Sequence, residues 1–166
     1  MLYNERNKTA SGFAKGRFIL FTYKSKSVND TESFAEEIAK KAYPGTVIAL
    51  FGGLGMGKTA FTRGFVRGRG IDAEVSSPTF SLVHEYQGTP SVCHFDMYRI
   101  SSWDDLYSTG FFDYLDMGGI LVTEWSENIE NALPENTLRI YFEQGENENE
   151  RNITLTGEGI YENFSC

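Results

Sequence analysis

Lys58 and Thr59 follow a cluster of four glycines in the stretch FGGLGMGKTAF, residues 51–61. The segment from Gly52 to Thr59 fits the pattern G-x-x-x-x-G-K-[ST], and it lies between the apolar run TVIALF and a helical pattern. Glycines let successive backbone N–H groups curl around a phosphate, and the following helix N-terminus adds its positive dipole end. A plain strand-to-helix turn would need the glycines but not the Lys-Thr pair. The pattern therefore predicts a nucleotide site.

The lysine and the threonine of this stretch have distinct expected roles. In such loops the lysine meets the β and γ phosphates and the hydroxyl ligates Mg²⁺. The residues expected to surround the phosphates are Gly53, Leu54, Gly55, Met56, Gly57, Lys58, Thr59 and Ala60. The loop alone predicts nucleotide binding and leaves the reaction open.

Two acidic residues are candidates for the metal and the attacking water. The apolar run GILVTEW ends in Glu124, whose side chain could reach Mg²⁺ or its waters, or could be an exposed strand-end glutamate. In HFDMYR, strand alternation sends His94, Asp96 and Tyr98 to one face, so Asp96 could orient water or accept its proton. His94 with Asp96 resembles a metal pair, but two ligands do not make a zinc site.

The hydroxyl-rich segment SSPTFS, residues 76–81, follows the helix of the phosphate loop. Such segments can become ordered by a γ-phosphate and Mg²⁺ and loosen after hydrolysis. A switch and a plain connecting loop are both open interpretations. Trp125, directly after Glu124, is more typical of a core or interface residue than of a base-stacking one.

The apolar pattern predicts an α/β fold of the P-loop NTPase type, with a mostly parallel sheet, flanking helices and antiparallel hairpin additions. Strands are expected at 17–23, 46–51 and 118–125, and hairpins at 81–86 with 91–100 and at 137–144 with 151–158. Helices are expected at 29–43, opened by Asn29 or Asp30, at 58–68, at 101–115 with a break at Gly110, and at 126–133. Residues 1–16 read as a flexible lead-in and 17–166 as a single domain.

Composition restricts the function further. The net charge of −8 disfavours independent tight binding of nucleic acid, which normally needs a basic surface. Arg63, Arg67 and Arg69 follow the glycine stretch and form either a solvated face or a docking face for an acidic partner or RNA. Two cysteines are too few for a disulfide framework, and neither a membrane span nor a signal peptide is evident, so a cytoplasmic protein is expected.

Five stretches in order resemble the bacterial TsaE family (formerly YjeE), the ATPase of tRNA threonylcarbamoyladenosine biosynthesis. They are GGLGMGKTAFTRGF, SSPTFSLVHEY, HFDMYRI, DDLYSTGFFDYL and LVTEWSEN. The resemblance covers approximately residues 18–159. The combination of SPTF with HxDxYR and EW is specific, whereas the phosphate loop alone is widespread.

The resemblance implies roles by position. Lys58 and Thr59 match the loop residues that bind ATP and Mg²⁺, and Asp96 matches the aspartate of HxDxYR, a catalytic role shared with Lys58. Glu124 matches the Mg²⁺-associated glutamate, and Trp125 the tryptophan that follows it.

The other implied matches concern the switch and the nucleotide's outer contacts. The SPT switch of the family matches Ser77, Pro78 and Thr79. The adenine is expected near the N-terminal helix, at Val28 and Thr31, and Arg151 corresponds to an arginine close to the nucleotide. Gly53 stands where relatives usually carry an acidic residue, which implies a looser loop.

By this resemblance the protein binds ATP with Mg²⁺, hydrolyses it weakly on its own, and acts on TsaD and TsaB, contacting tRNA only through that complex. No arginine finger within the chain is evident, so a partner would complete the site. A small-molecule kinase and a non-hydrolysing nucleotide-gated interaction module are the alternatives. A GTPase is disfavoured because no N/T-K-x-D motif follows the loop.

Overall fold

The chain has an α/β fold built on one mixed β-sheet in the computed structural model, which describes residues 18–157. Within that range seven strands form one sheet in the order β1-β7-β6-β2-β5-β4-β3. The strands are β1 Phe18–Ser25, β2 Val47–Phe51, β3 Val83–Tyr86, β4 Val92–Asp96, β5 Ile120–Glu124, β6 Leu138–Gln144 and β7 Arg151–Gly157. The central strands β6, β2, β5 and β4 are parallel, and the pairs β1–β7, β6–β7 and β3–β4 are antiparallel. The predicted fold class is confirmed; the lead-in predicted at 1–16 lies outside the described residues.

Helices cover both faces of this sheet. They are α1 Val28–Lys41, α2 Lys58–Gly68, α3 Trp103–Ser108 and α4 Phe111–Asp116, followed by a 3₁₀ segment at Ser126–Ala132. The predicted break at Gly110 separates α3 from α4, because this glycine has a φ of 75°. No helix among residues 18–157 combines the length and apolar character needed to cross a membrane.

The start of α1 differs from the sequence-based prediction. Ser27 caps the helix, and its hydroxyl accepts from the Asp30 N–H at 3.1 Å, so the opening predicted at Asn29 or Asp30 is wrong. The Asp30 carboxylate accepts instead from the Tyr23 hydroxyl at 2.6 Å and the Lys26 N–H at 2.8 Å. Serine is as good an N-cap as Asp or Asn. Asp30 is engaged by Tyr23 of β1 and by Lys26, and Ser27 therefore serves as the cap.

Strand β2 is continuously apolar because both of its faces are buried. Ile48 and Leu50 belong to the core beneath α1 and α2, whereas Val47, Ala49 and Phe51 belong to the core on the opposite face. A strand buried on both faces cannot alternate with polar residues. The carboxyl end of β2 thus leads directly from the centre of the sheet into the phosphate loop.

Two glycines allow α2 to lie unusually close to α1. A Cβ at Gly64 would lie 2.2 Å from the Glu32 carbonyl oxygen, and one at Gly68 would lie 2.7 Å from the Glu36 Cα. Because α2 begins at Lys58, this contact sets the position of the helix N-terminus that faces the site.

The arginines of α2 are engaged in the same contact. Arg63 and Arg67 form ion pairs with Glu32 at 2.7 and 3.0 Å, and Arg67 also pairs with Glu36. Arg69 donates to two backbone carbonyls of the α1 C-terminal region. These side chains join the two helices, and those of Arg63 and Arg67 remain 44% and 53% exposed, so a solvated face and a docking face both stay open interpretations.

We expect Gly64→Ala to lower the free energy of unfolding by about 2 kcal/mol, because the added methyl group meets backbone that cannot move aside easily. Chemical denaturation measures the change. Gly53→Ala is the matched control, since nothing lies within 4 Å of its Cβ position. Equal stability of the two variants would contradict the close helix contact.

Candidate functional site

A cavity of about 560 Å³ lies at the carboxyl ends of β2, β4 and β5. This is the edge where open α/β sheets bind ligands. The predicted site residues that line it are Leu54, Gly55, Met56, Gly57, Lys58, Thr59, Ala60, Ser77, Thr79, Asp96, Glu124 and Trp125, and Tyr98 completes the wall. Three segments that are far apart in sequence therefore meet the phosphate loop at this cavity.

The phosphate loop depends on backbone conformations that favour glycine. Gly57 precedes α2 with a φ of 105°, and Gly52 follows β2 with a φ of 141°. A Cβ at Gly52 would also lie 2.8 Å from the Phe142 carbonyl oxygen of β6. Both glycines are thus required by geometry, and the loop connects the strand to the helix as the pattern predicts.

Lys58 is a buried cation beside the loop, with 5% of its surface exposed. Its ammonium donates to the carbonyls of Gly52 and Gly53, and Nζ lies 4.0 Å from the centroid of the Trp125 ring. Burial lowers the pKa of Lys58, and the nearby carboxylates of Glu124, Glu127 and Asp96 oppose that effect. An anionic ligand would give this cation the charge partner that the loop carbonyls provide only as dipoles.

Trp125 forms the wall above Lys58. Its backbone is left-handed, with φ 56° and ψ 42°, a conformation that costs a non-glycine residue about 1 kcal/mol. Its ring lies 4.9 Å from that of Tyr98. Strained backbone is typical of functional sites, where the surroundings hold it in place. Here the left-handed backbone at the end of β5 places the indole ring beside the Lys58 ammonium.

Glu124 links the phosphate loop to the centre of the sheet. Its Oε1 accepts from the Thr59 hydroxyl at 2.9 Å and contacts His94 Nε2 at 2.8 Å. The side chain is 3% exposed, so the alternative of an exposed strand-end glutamate is wrong. Hydroxyl and carboxylate oxygens are the ligand types that Mg²⁺ prefers, and the Thr59 oxygen keeps a lone pair while it donates. The donor set therefore fits the ion.

His94 is a positioning residue for that carboxylate. The ring is fully buried, and its Nδ1 has no hydrogen-bond partner. The Nε2–H tautomer satisfies the contact with Glu124 and leaves only a lone pair on Nδ1. His94 thus contacts the glutamate and does not pair with Asp96 as a metal ligand would.

Asp96 holds the SSPTFS segment. Its Oδ2 accepts from the Ser77 hydroxyl at 2.8 Å and the Thr79 hydroxyl at 3.0 Å, and its Oδ1 accepts from the Tyr98 N–H at 2.9 Å. Pro78, between the two hydroxyl residues, is buried. The segment is therefore fixed to the candidate catalytic carboxylate. Strand β4 ends at Asp96, so Tyr98 reaches the cavity from the chain beyond the strand and not by alternation along it.

Four predicted site residues besides Pro78 lie outside the cavity lining. Gly53 is exposed in the loop; Val28 is 60% exposed at the first residue of α1, and Thr31 is 2% exposed, its hydroxyl 2.7 Å from that of Ser25. Arg151 donates through Nε to the Met56 carbonyl and through Nη2 to the Gly55 carbonyl, at 3.2 and 3.1 Å. Arg151 thus holds the loop from β7.

Glu127 was missed by the sequence analysis. Its Oε1 accepts from the Gly52 N–H at 2.8 Å, which ties the 3₁₀ segment to the first residue of the phosphate loop. The two residues are 75 positions apart, and no motif connects them. Only its position three residues after Glu124 signals that it lies near the same edge of the sheet.

Comparison with known proteins gives the family. The family model described as "Threonylcarbamoyl adenosine biosynthesis protein TsaE" matches residues 25–153. The chain belongs to the TsaE family. Relatives described as tRNA threonylcarbamoyladenosine biosynthesis protein TsaE include one from Bacillus subtilis, 39% identical over 82% of this chain and 85% of its own length. Another from Treponema pallidum is 36% identical over 70% of this chain and 86% of its own length.

A solved structure of a similar protein agrees with the fold. The crystal structure of YdiB from Bacillus subtilis matches with a TM-score of 0.72 and 32% identity, over 90% of this chain and 91% of that chain. The TsaE family is the family of threonylcarbamoyladenosine biosynthesis in tRNA, which confirms the resemblance seen in the sequence motifs.

We expect His94→Ala to lower the free energy of unfolding by about 2–3 kcal/mol, because it leaves a cavity and removes a donor from a buried carboxylate. His94→Gln, which can still donate, should retain part of that stability. Urea denaturation measures both variants. His84, which pairs with His94 across β3 and β4 and is only partly buried, offers the control His84→Ala, with a change within about 0.5 kcal/mol. A His94→Ala variant as stable as this control would remove the positioning role.

Proposed function

We propose that this member of the TsaE family is an ATPase that binds ATP with Mg²⁺ and hydrolyses it slowly. The observation that carries the proposal is the meeting of Lys58, Thr59, Asp96 and Glu124 at one cavity beside a glycine loop. A triphosphate on the loop amides would find the buried ammonium of Lys58 within the same cavity. Positioning and charge neutralisation are the main sources of catalysis in phosphoryl transfer.

The site residues have separate roles in the proposed hydrolysis. Thr59 and Glu124 would hold Mg²⁺, which supplies charge neutralisation at the phosphates. Asp96 orients a water molecule and accepts its proton, while the water oxygen bonds to the γ-phosphorus and the bond to the β–γ bridging oxygen breaks. The Tyr98 N–H holds Asp96 Oδ1, and the Ser77 and Thr79 hydroxyls donate to Oδ2, so we assign Oδ2 to the water once these two hydroxyls turn to the γ-phosphate.

The SSPTFS segment acts as the switch in this proposal. The hydroxyls of Ser77 and Thr79 line the cavity and donate to Asp96. A γ-phosphate is a competing acceptor for the same donors, so binding of ATP would exchange these bonds and hydrolysis would restore them. Pro78 restricts the backbone between the two hydroxyls.

The outer parts of the nucleotide are assigned by the family resemblance. Val28, exposed at the start of α1, and Thr31, buried one turn later, are the residues that we propose near the adenine. Arg151 stabilises the phosphate loop by donating to the carbonyls of Met56 and Gly55. The assignment to adenine agrees with the lack of a guanine-specific motif in the sequence.

The partners in this proposal are TsaB and TsaD, which install threonylcarbamoyl on adenosine 37 of tRNA, while this protein resets them between turnovers. The role of its relatives in tRNA threonylcarbamoyladenosine biosynthesis supports a role in the modification pathway. A net charge of −8 supports indirect contact with tRNA through the partners. A cytoplasmic location agrees with the buried, unpaired thiol of Cys93.

Two alternatives have distinct outcomes in the same assays. A non-hydrolysing nucleotide-gated module would bind ATP but release no phosphate, with or without TsaB and TsaD. A small-molecule kinase would transfer the γ-phosphate to an added hydroxyl acceptor in preference to water. The two buried carboxylates at the cavity favour hydrolysis over the gated module, because such a module does not need a water-orienting group.

We expect Lys58→Ala to weaken ATP binding by about 30- to 100-fold, because a charge-assisted contact to the phosphates is lost. Isothermal titration calorimetry measures the affinity. Lys40→Ala, which removes an exposed ammonium on α1, should leave it unchanged. Wild-type affinity and phosphate release in Lys58→Ala would refute the nucleotide site.

We expect Asp96→Asn to keep ATP affinity within about threefold and to lower kcat by about 100-fold, because the amide can hold the segment but cannot accept a proton. Phosphate release, with and without TsaB and TsaD, measures kcat. Asp72→Asn, at an exposed carboxylate beyond α2, is the control. Loss of ATP binding in Asp96→Asn would instead make the residue structural.

A further inference from the structure

An exposed aromatic cluster covers the outer side of α3 and α4. Trp103 and Tyr107 are 54% and 65% exposed, and both contact the half-buried Phe112, at centroid distances of 6.5 and 4.9 Å. The inner side of the same two helices is already packed, since Leu106 and Phe111 are buried against the sheet. Phe112 packs against that core, whereas Trp103 and Tyr107 expose their rings to solvent, as protein interaction sites do.

The stretch of chain that contains this cluster carries charge of one sign. Residues 100–138 contain eight Asp and Glu and no Lys or Arg, whereas the rest of the chain holds the other 15 acidic residues and all 15 basic ones. Asp104, Asp113 and Asp116 are exposed on α3 and α4, and Glu127 is exposed at the start of the 3₁₀ segment. The eight carboxylates of this segment equal the net charge of −8, and all of them except Glu124, which is buried at the nucleotide site, are outside that cavity.

We propose that this surface, the acidic aromatic face made by the outer sides of α3 and α4 and the 3₁₀ segment, docks a basic protein surface with an apolar anchor. Nucleic acid and anionic membranes are repelled by the same carboxylates. A second copy of this chain would bring two acidic faces together. Charge complementarity leaves a basic protein partner, and the exposed rings provide the central contact that such interfaces use.

The acidic aromatic face is joined to the nucleotide site. A groove of about 250 Å³ separates the start of α3 from the 3₁₀ segment. On its far side Asn128 donates to the carbonyls of Met97 and Tyr98, at 2.9 and 3.2 Å, and Glu127 accepts from the Gly52 N–H. A partner that contacts the 3₁₀ segment therefore acts on residues directly bonded to the phosphate loop and the cavity wall.

This inference rests on the proposed function, since the basic surface is assigned to the TsaB–TsaD complex. The test measures the affinity of the full chain for purified TsaB–TsaD by isothermal titration calorimetry with ATP present. We expect the double variant Trp103→Ala/Tyr107→Ala to bind at least about tenfold more weakly, and Asp116→Lys to weaken binding as well. Wild-type affinity should fall when the ionic strength rises from about 0.05 to about 0.3 M, because salt screens the charges.

Matched controls separate docking from general damage. Tyr43→Ala removes an exposed ring before β2, and Asp72→Lys reverses an exposed charge beyond α2; both should bind like the wild type. ATP turnover without partners should be unchanged in all four variants. Wild-type affinity in the Trp103→Ala/Tyr107→Ala variant overturns the docking face alone. Failure of the wild type to bind TsaB–TsaD overturns the partnership, and the docking face with it.

Discussion

The hydrogen-bonded chain from Thr59 through Glu124 to His94 joins the first turn of α2, the end of β5 and the centre of β4. Glu124 and His94 are buried, so each of these two groups must keep its partner or lose the free energy that desolvation costs. The phosphate loop can hold its shape only if α2 begins where Thr59 reaches this carboxylate. The close contact of Gly64 with α1 and the parallel pairing of β4 with β5 both serve to keep that distance.

The site also shows how the two faces of the sheet differ. Lys40 of α1 and Arg63 and Arg67 of α2 are paired with acidic residues of α1, which offsets charge on that layer. The layer of α3, α4 and the 3₁₀ segment has carboxylates without basic residues in the same stretch of chain. The cavity lies at the strand ends between the two layers, where a helix N-terminus and a buried ammonium meet two carboxylates. A site for a triphosphate and a site for a basic partner can therefore coexist in an acidic chain.

Much of this arrangement was predictable because it is local. The Gly52–Thr59 pattern, the apolar run of β2 and the acids at the ends of β4 and β5 each appear within a few residues, and parallel strands bring their ends to one edge. The contacts that could not be predicted join distant segments: Glu127 with Gly52, His94 with Glu124, and Arg63 with Glu32. Such pairs depend on the register of neighbouring strands and the crossing of two helices, which a pattern along one segment does not contain. The cap at Ser27 was missed because Ser27, Asn29 and Asp30, within four residues of one another, are all suitable caps.

The most direct test of the central claim is a crystal structure of the protein with Mg²⁺ and a non-hydrolysable ATP analogue. We expect the triphosphate to lie on the loop amides, the Lys58 ammonium to leave the carbonyls of Gly52 and Gly53 for the phosphates, and Thr59 and Glu124 to face the ion. Phosphates bound elsewhere, with Lys58 still on those carbonyls and Glu124 remote from the metal, would contradict it.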